Sequence, residues 1–145
     1  MRALFLSAIV GVLFGVSGFT FIYAKGHSYL SSDPTACVNC HVMRSQYDGW
    51  LKSSHHAVAV CTDCHMPEGL LSKYITKAEN GFLHSKAFTL QDYLDPIQIR
   101  PSSLQIANSA CLKCHGEMTS ELSVHRSVVA GESELCTHCH ADVGH

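Results

Sequence analysis

The pattern Cys-x-x-Cys-His occurs four times in this 145-residue chain: CVNCH at 37–41, CTDCH at 61–65, CLKCH at 111–115 and CTHCH at 136–140. All eight cysteines fall inside these copies, so none remains for a separate disulfide or nucleophile. Three chemistries compete for such cysteines. They can form a disulfide framework, they can bind tetrahedral zinc, or each motif can carry a covalent c-type haem. Neither of the first two requires a histidine after every second cysteine. Histidine makes up 11 of 145 residues, and four such coincidences have a combined chance on the order of 10⁻⁵. The sequence therefore reads as Cys37, Cys40, Cys61, Cys64, Cys111, Cys114, Cys136 and Cys139 holding four haem c groups. The chemistry demands this spacing. Two thiols add across the two vinyl groups of one porphyrin, and the next histidine reaches the iron from the same side. A formal charge of −2 argues against a nucleic-acid partner.

Residues 3–24, ALFLSAIVGVLFGVSGFTFIYA, contain no charge and are flanked by Arg2 and Lys25. Twenty-two helical residues span roughly 33 Å, enough to cross a hydrocarbon core of about 30 Å. A cleaved signal peptide would have a shorter apolar run and a small-x-small cleavage site. Cleavage after Ala24 would put Ile22 where a small residue is wanted. A retained anchor over 1–25 is the expectation. Gly11 and Gly15 form G-x-x-x-G, which suits homo-association through this helix but also fits ordinary transmembrane glycines. One Arg against one Lys says little about orientation. Haem attachment needs reduced thiols outside the cytoplasm, so 26–145 is expected on the periplasmic side of the inner membrane, behind a single span.

The motifs start at 37, 61, 111 and 136, which suggests a dihaem module at 26–65, a linker at 66–110 and a second module at 111–145. The fold class expected is mainly α with much irregular structure. The haems would replace core that a domain this small otherwise lacks. In the linker, Leu71, Ile75, Ala78 and Phe82 share one helical side, and Lys73, Lys77, Asn80 and His84 share the other. Taken alone, this is a surface helix with its polar face in water.

Four haems offer eight axial positions. Beyond the motif histidines His41, His65, His115 and His140, the chain supplies His27, His55, His56, His84, His125, His138 and His145. His138 lies between two attaching cysteines and has little freedom to reach another iron. His55 and His56 are adjacent and would point about 100° apart on a helix, so one ligand at most is expected from the pair. Met43 follows the first motif as C-x-x-C-H-x-M, an extension the other three lack. Counting alone does not assign the ligands.

The anchor, the four motifs, the x-Met extension and a histidine five residues after the last motif together resemble the NapC/NirT group of membrane tetrahaem quinol dehydrogenases. The small size and the segment KYITKAENGFLHSKAFT are similar to the small subunits of cytochrome c nitrite reductases. The resemblance implies Met43 as ligand of the first haem, with His41 a bystander. It implies His65 on the second haem, opposite a lysine donated by the catalytic partner. It gives His115 with His145 to the third haem, and His140 with His56 to the fourth. It also places Lys77 at a quinol pocket, with Lys73 one turn earlier. His84 stands where some members carry an aspartate beside the open face of the first haem. His84 therefore has three readings: proton acceptor, hydrogen-bond partner of the quinone oxygen, or iron ligand. Histidine titrates near neutral pH, which suits proton transfer. His27, His55 and His125 are left without a role.

The function expected is a membrane-anchored electron-transfer subunit. It would oxidise menaquinol and feed a pentahaem catalytic subunit that reduces nitrite to ammonium, with no nitrite chemistry in this chain itself. The alternatives are a quinol dehydrogenase serving another periplasmic reductase and a tethered carrier without a quinol site.

Overall fold

The computed structural model describes residues 1–121 and 136–145; His125 lies outside them. Helix α1 runs Arg2–Tyr23, and none of its residues is buried. A helix that is apolar on every side and covered by no protein suits a bilayer. Just past its end, Lys25 adopts a left-handed conformation at φ 51°. Three short 3₁₀ turns follow at Gly26–Leu30, Pro34–Asn39 and His41–Met43. Then come α2 (Arg44–Lys52), α3 (Cys61–His65), α4 (Leu70–Leu90), α5 (Pro101–Ser120) and α6 (Cys136–Cys139). The described residues contain no strand, as the expected mainly α, irregular architecture requires.

Local chemistry sets the helix ends. Asp63 accepts the Val60 N–H at 2.9 Å and so caps α3. Gly69 enters α4 at φ +90°, a conformation that costs glycine little. Pro101 opens α5, where its missing N–H is not needed. The linker expected at 66–110 therefore consists mostly of α4 and the first half of α5. Helix α3 packs directly on α5, so the second and third motifs are neighbours across it.

Helix α4 is turned over relative to the sequence expectation. Leu71, Ile75 and Phe82 are 76, 59 and 69% exposed, whereas Lys77 and Asn80 are 5 and 8% exposed. The polar face is the covered one because each of these two groups finds partners there. Lys77 Nζ donates to the Ser31 carbonyl at 2.7 Å and the Leu30 carbonyl at 3.3 Å. Asn80 Oδ1 accepts from Arg100 at 2.9 Å, and the same guanidinium meets Glu79 at 3.1 Å. Buried polar groups are tolerated when they are paired in this way. The Gly26–Leu30 turn touches both α1 and α4, so α4 lies beside the point where the chain leaves α1.

This orientation has a measurable consequence. Ile75→Asp and Phe82→Asp should change folding stability by no more than about 0.5 kcal/mol. Asn80→Leu, which strips a partner from Arg100, should cost about 1–3 kcal/mol. Urea unfolding of the haem-loaded protein in detergent would check both.

Candidate haem and quinol site

Each motif is held by its own local structure. The first spans the second and third 3₁₀ turns. Asp33 caps it by accepting the Thr35 N–H at 2.8 Å. Within it, Asn39 donates its side-chain amide to the Ala24 carbonyl at 2.9 Å, which ties the first haem-attachment point to the end of α1. The second motif is α3 itself. The third lies within α5, and the fourth begins α6, where the Cys136 N–H donates to Asn108 Oδ1 at 2.7 Å. In the three helical motifs the paired cysteines stand three residues apart, about one turn, on a common face.

The eight motif cysteines are each half-buried or exposed. They also form a file. Cys37 lies beside Cys61 and Cys111 beside Cys136, and Cys64 lies near Cys111 and Cys114. The attachment points therefore run in sequence order, one beside the next.

In the first motif His41 is exposed and Met43 half-buried. The His65 and His145 rings lie 6.0 Å apart, nearly parallel at 19°. The His55 and His115 rings lie 6.2 Å apart at 79°. His145 thus stands by His65 and His55 by His115, whereas the resemblance pairs His145 with His115. His56 packs edge-on against Trp50 at 4.7 Å, and the Trp50 indole N–H donates to the Ala59 carbonyl at 3.0 Å, anchoring this loop. Burial holds the His65 imidazole below the usual histidine range, with the nearby His145 charge adding to the effect. This favours the neutral form that ligates metals.

The quinol-site candidates come together around the first motif. Burial pushes Lys77 down and its neighbour Lys73 adds repulsion, and Lys77 lies near Cys37 of the first motif. Two of the three ammonium donors of Lys77 reach the Leu30 and Ser31 carbonyls, so its position is fixed. His84 Nδ1 is 3.0 Å from the Tyr29 hydroxyl. The Tyr29 ring lies against Gly81, where an added Cβ would come within 3.6 Å. Desolvation, and then the Arg100 charge, holds His84 below the usual histidine value. Tyr29 is pushed up to about 12, mainly by burial, so it stays protonated as a neutral partner for His84. Sequence reasoning missed Tyr29. It lies 55 positions from His84, and no local motif marks it.

The whole chain, residues 1–145, matches the NapC/NirT cytochrome c family, N-terminal region. It is 40% identical over 146 residues to the cytochrome c-type protein NrfH of Wolinella succinogenes, covering 92% of this chain and 82% of that protein. It is 31% identical to the cytochrome c nitrite reductase subunit NrfH of Nitratidesulfovibrio vulgaris, covering 84% of this chain and 72% of the relative. Its fold is similar to a chain in the crystal structure of the cytochrome c nitrite reductase NrfHA complex bound to the HQNO inhibitor. That match has a TM-score of 0.67 and 26% identity, and covers 94% of this chain and 88% of the other. The four attachment motifs, the apolar α1 and these matches converge: the chain belongs to the NapC/NirT cytochrome c family.

Proposed function

We propose that this chain is the membrane-anchored tetrahaem subunit that oxidises menaquinol and passes electrons to a nitrite reductase catalytic subunit. Two relatives named as NrfH proteins, and a fold relative within an NrfHA complex, support the partner class. The observation that carries the quinol half is the position of Lys77 and His84. Both are held on α4 beside the first motif, which is itself bonded to the foot of α1. A lipid-dissolved substrate would meet these groups where it leaves the membrane.

The haems, when attached, supply one-electron iron couples. The side chains do the rest. Met43 would hold the first haem iron, with His41 left in solvent. His65, His115 and His140 would hold the other three, with His56 also serving the fourth. Lys77, fixed by two carbonyls, presents its remaining N–H to a quinol oxygen, and Lys73 keeps the local potential positive. His84 holds its imidazole through Tyr29 and offers Nε2 to a quinol hydroxyl. When Nε2 takes the proton, Nδ1 carries the other and donates to the Tyr29 oxygen, so the contact survives both protonation states.

Lys77→Leu should lower quinol oxidation by about ten- to a hundred-fold while leaving all four haems attached; unchanged quinol kinetics would remove Lys77 from the site. His84 must be neutral to accept a proton, and its pKa is depressed. Activity should therefore persist through neutral pH and fall only below the ordinary histidine value of about 6.5. An acid limb above that value, or one unaltered in His84→Gln, would argue against this role. The isolated protein should show one haem with methionine ligation or high spin, and four bis-histidine haems would exclude Met43. Co-purification with a nitrite reductase tests the partner.

A further inference from the structure

We propose that α4 is a second membrane contact of this chain, its outward apolar face resting in the headgroup region of the bilayer that α1 spans. The inference rests on α1 as the span and not on the quinol reading. Leu70, Leu71, Tyr74, Ile75, Phe82 and Phe88 are 45 to 77% exposed. At about 100° per residue these six fall within an arc of roughly 140°. The charged residues of α4, Lys73, Lys77, Glu79 and Lys86, all fall outside that arc. Lys86 borders one edge, and Lys73 lies beyond the other. An uncharged apolar arc flanked by lysine is the pattern of a helix that lies in a membrane interface.

The position of α4 selects lipid as the occupant. The uncharged segment of α1 ends at Lys25. Tyr29, four residues on, sets its ring against Gly81 in the middle of α4. Lys77 is bonded to the carbonyls of Leu30 and Ser31. Four to six residues at roughly 2 Å each cover about 8–12 Å. The middle of α4 is therefore held about one helix diameter from the end of the span. The attachment motifs lie on its other side. Lys77, on the covered face, is the α4 residue near Cys37. Among the described elements, α4 packs chiefly on the Gly26–Leu30 turn and not on α3 or α5. Charge agrees with this placement. Glu79, the one acidic residue of α4, is paired with Arg100. Lys86 and Lys25 are both exposed on the side where anionic headgroups would meet them.

The experiment uses the haem-loaded full chain in vesicles of phosphatidylcholine and phosphatidylglycerol that carry a diazirine-bearing phospholipid. After illumination, labelled peptides are mapped by mass spectrometry. Label should appear on α1 and on residues 70–88. It should be several-fold weaker at Val58 and Met118, which are equally exposed apolar residues outside α4. Ile75→Asp combined with Phe82→Asp should cut α4 labelling several-fold, with haem content and α1 labelling intact. Label on α1 but not on α4 would overturn the proposal. So would equal label at Val58 and Met118, the mark of indiscriminate collision. Label on neither helix would remove the span and this contact together. Loss of α4 labelling when a nitrite reductase catalytic subunit is bound would assign the face to that partner. Loss at a high protein-to-lipid ratio would assign it to a second copy, and either result would overturn the lipid contact.

Discussion

Two thioether links within four residues fix a porphyrin to a single turn of backbone, and most of this architecture serves that constraint. A domain built around such groups does not need long helices meeting along apolar seams. It needs short turns that present cysteine pairs, and segments that bring the second iron ligand to the opposite side. The irregular stretch from Gly26 to Met43 and the small α3 and α6 are such turns. Among the described residues, no large side chain is fully buried. This fits a chain whose interior is shaped around prosthetic groups and whose own side chains serve as their lining.

The membrane anchor and the redox domain are linked by polar bonds over a short stretch of chain. Asn39 reaches back to Ala24, Lys77 reaches the Leu30 and Ser31 carbonyls, and Tyr29 meets His84. Together these bonds fasten the first motif and α4 to the segment that emerges from α1. An exposed lysine would swing on its flexible stem, but Lys77 is a fixed cation. Under the proposed function, such a fixed donor beside the first attachment motif would orient the substrate, where misplacement by even an ångström can be costly.

The parts legible in the sequence were those encoded locally. The attachment cysteines and the spanning helix need only spacing and composition, and α4 was expected from its period. The orientation of α4 was not legible. A helical pattern states that two faces differ but not which one is covered, and here Lys77 and Asn80 find partners at 30–31 and 100, far away in sequence. Tyr29 was hidden for the same reason. Helical spacing does not apply to His55 and His56, because residues 53–58 are a bend and turn between α2 and α3.

The outward apolar face of α4 also bears on how the haem domain would behave apart from its anchor. Leu71, Ile75 and Phe82 remain exposed whether or not α1 is present, and Leu70 and Tyr74 extend the same surface. Removing the span would therefore leave a second apolar surface on the remaining domain, carried by α4.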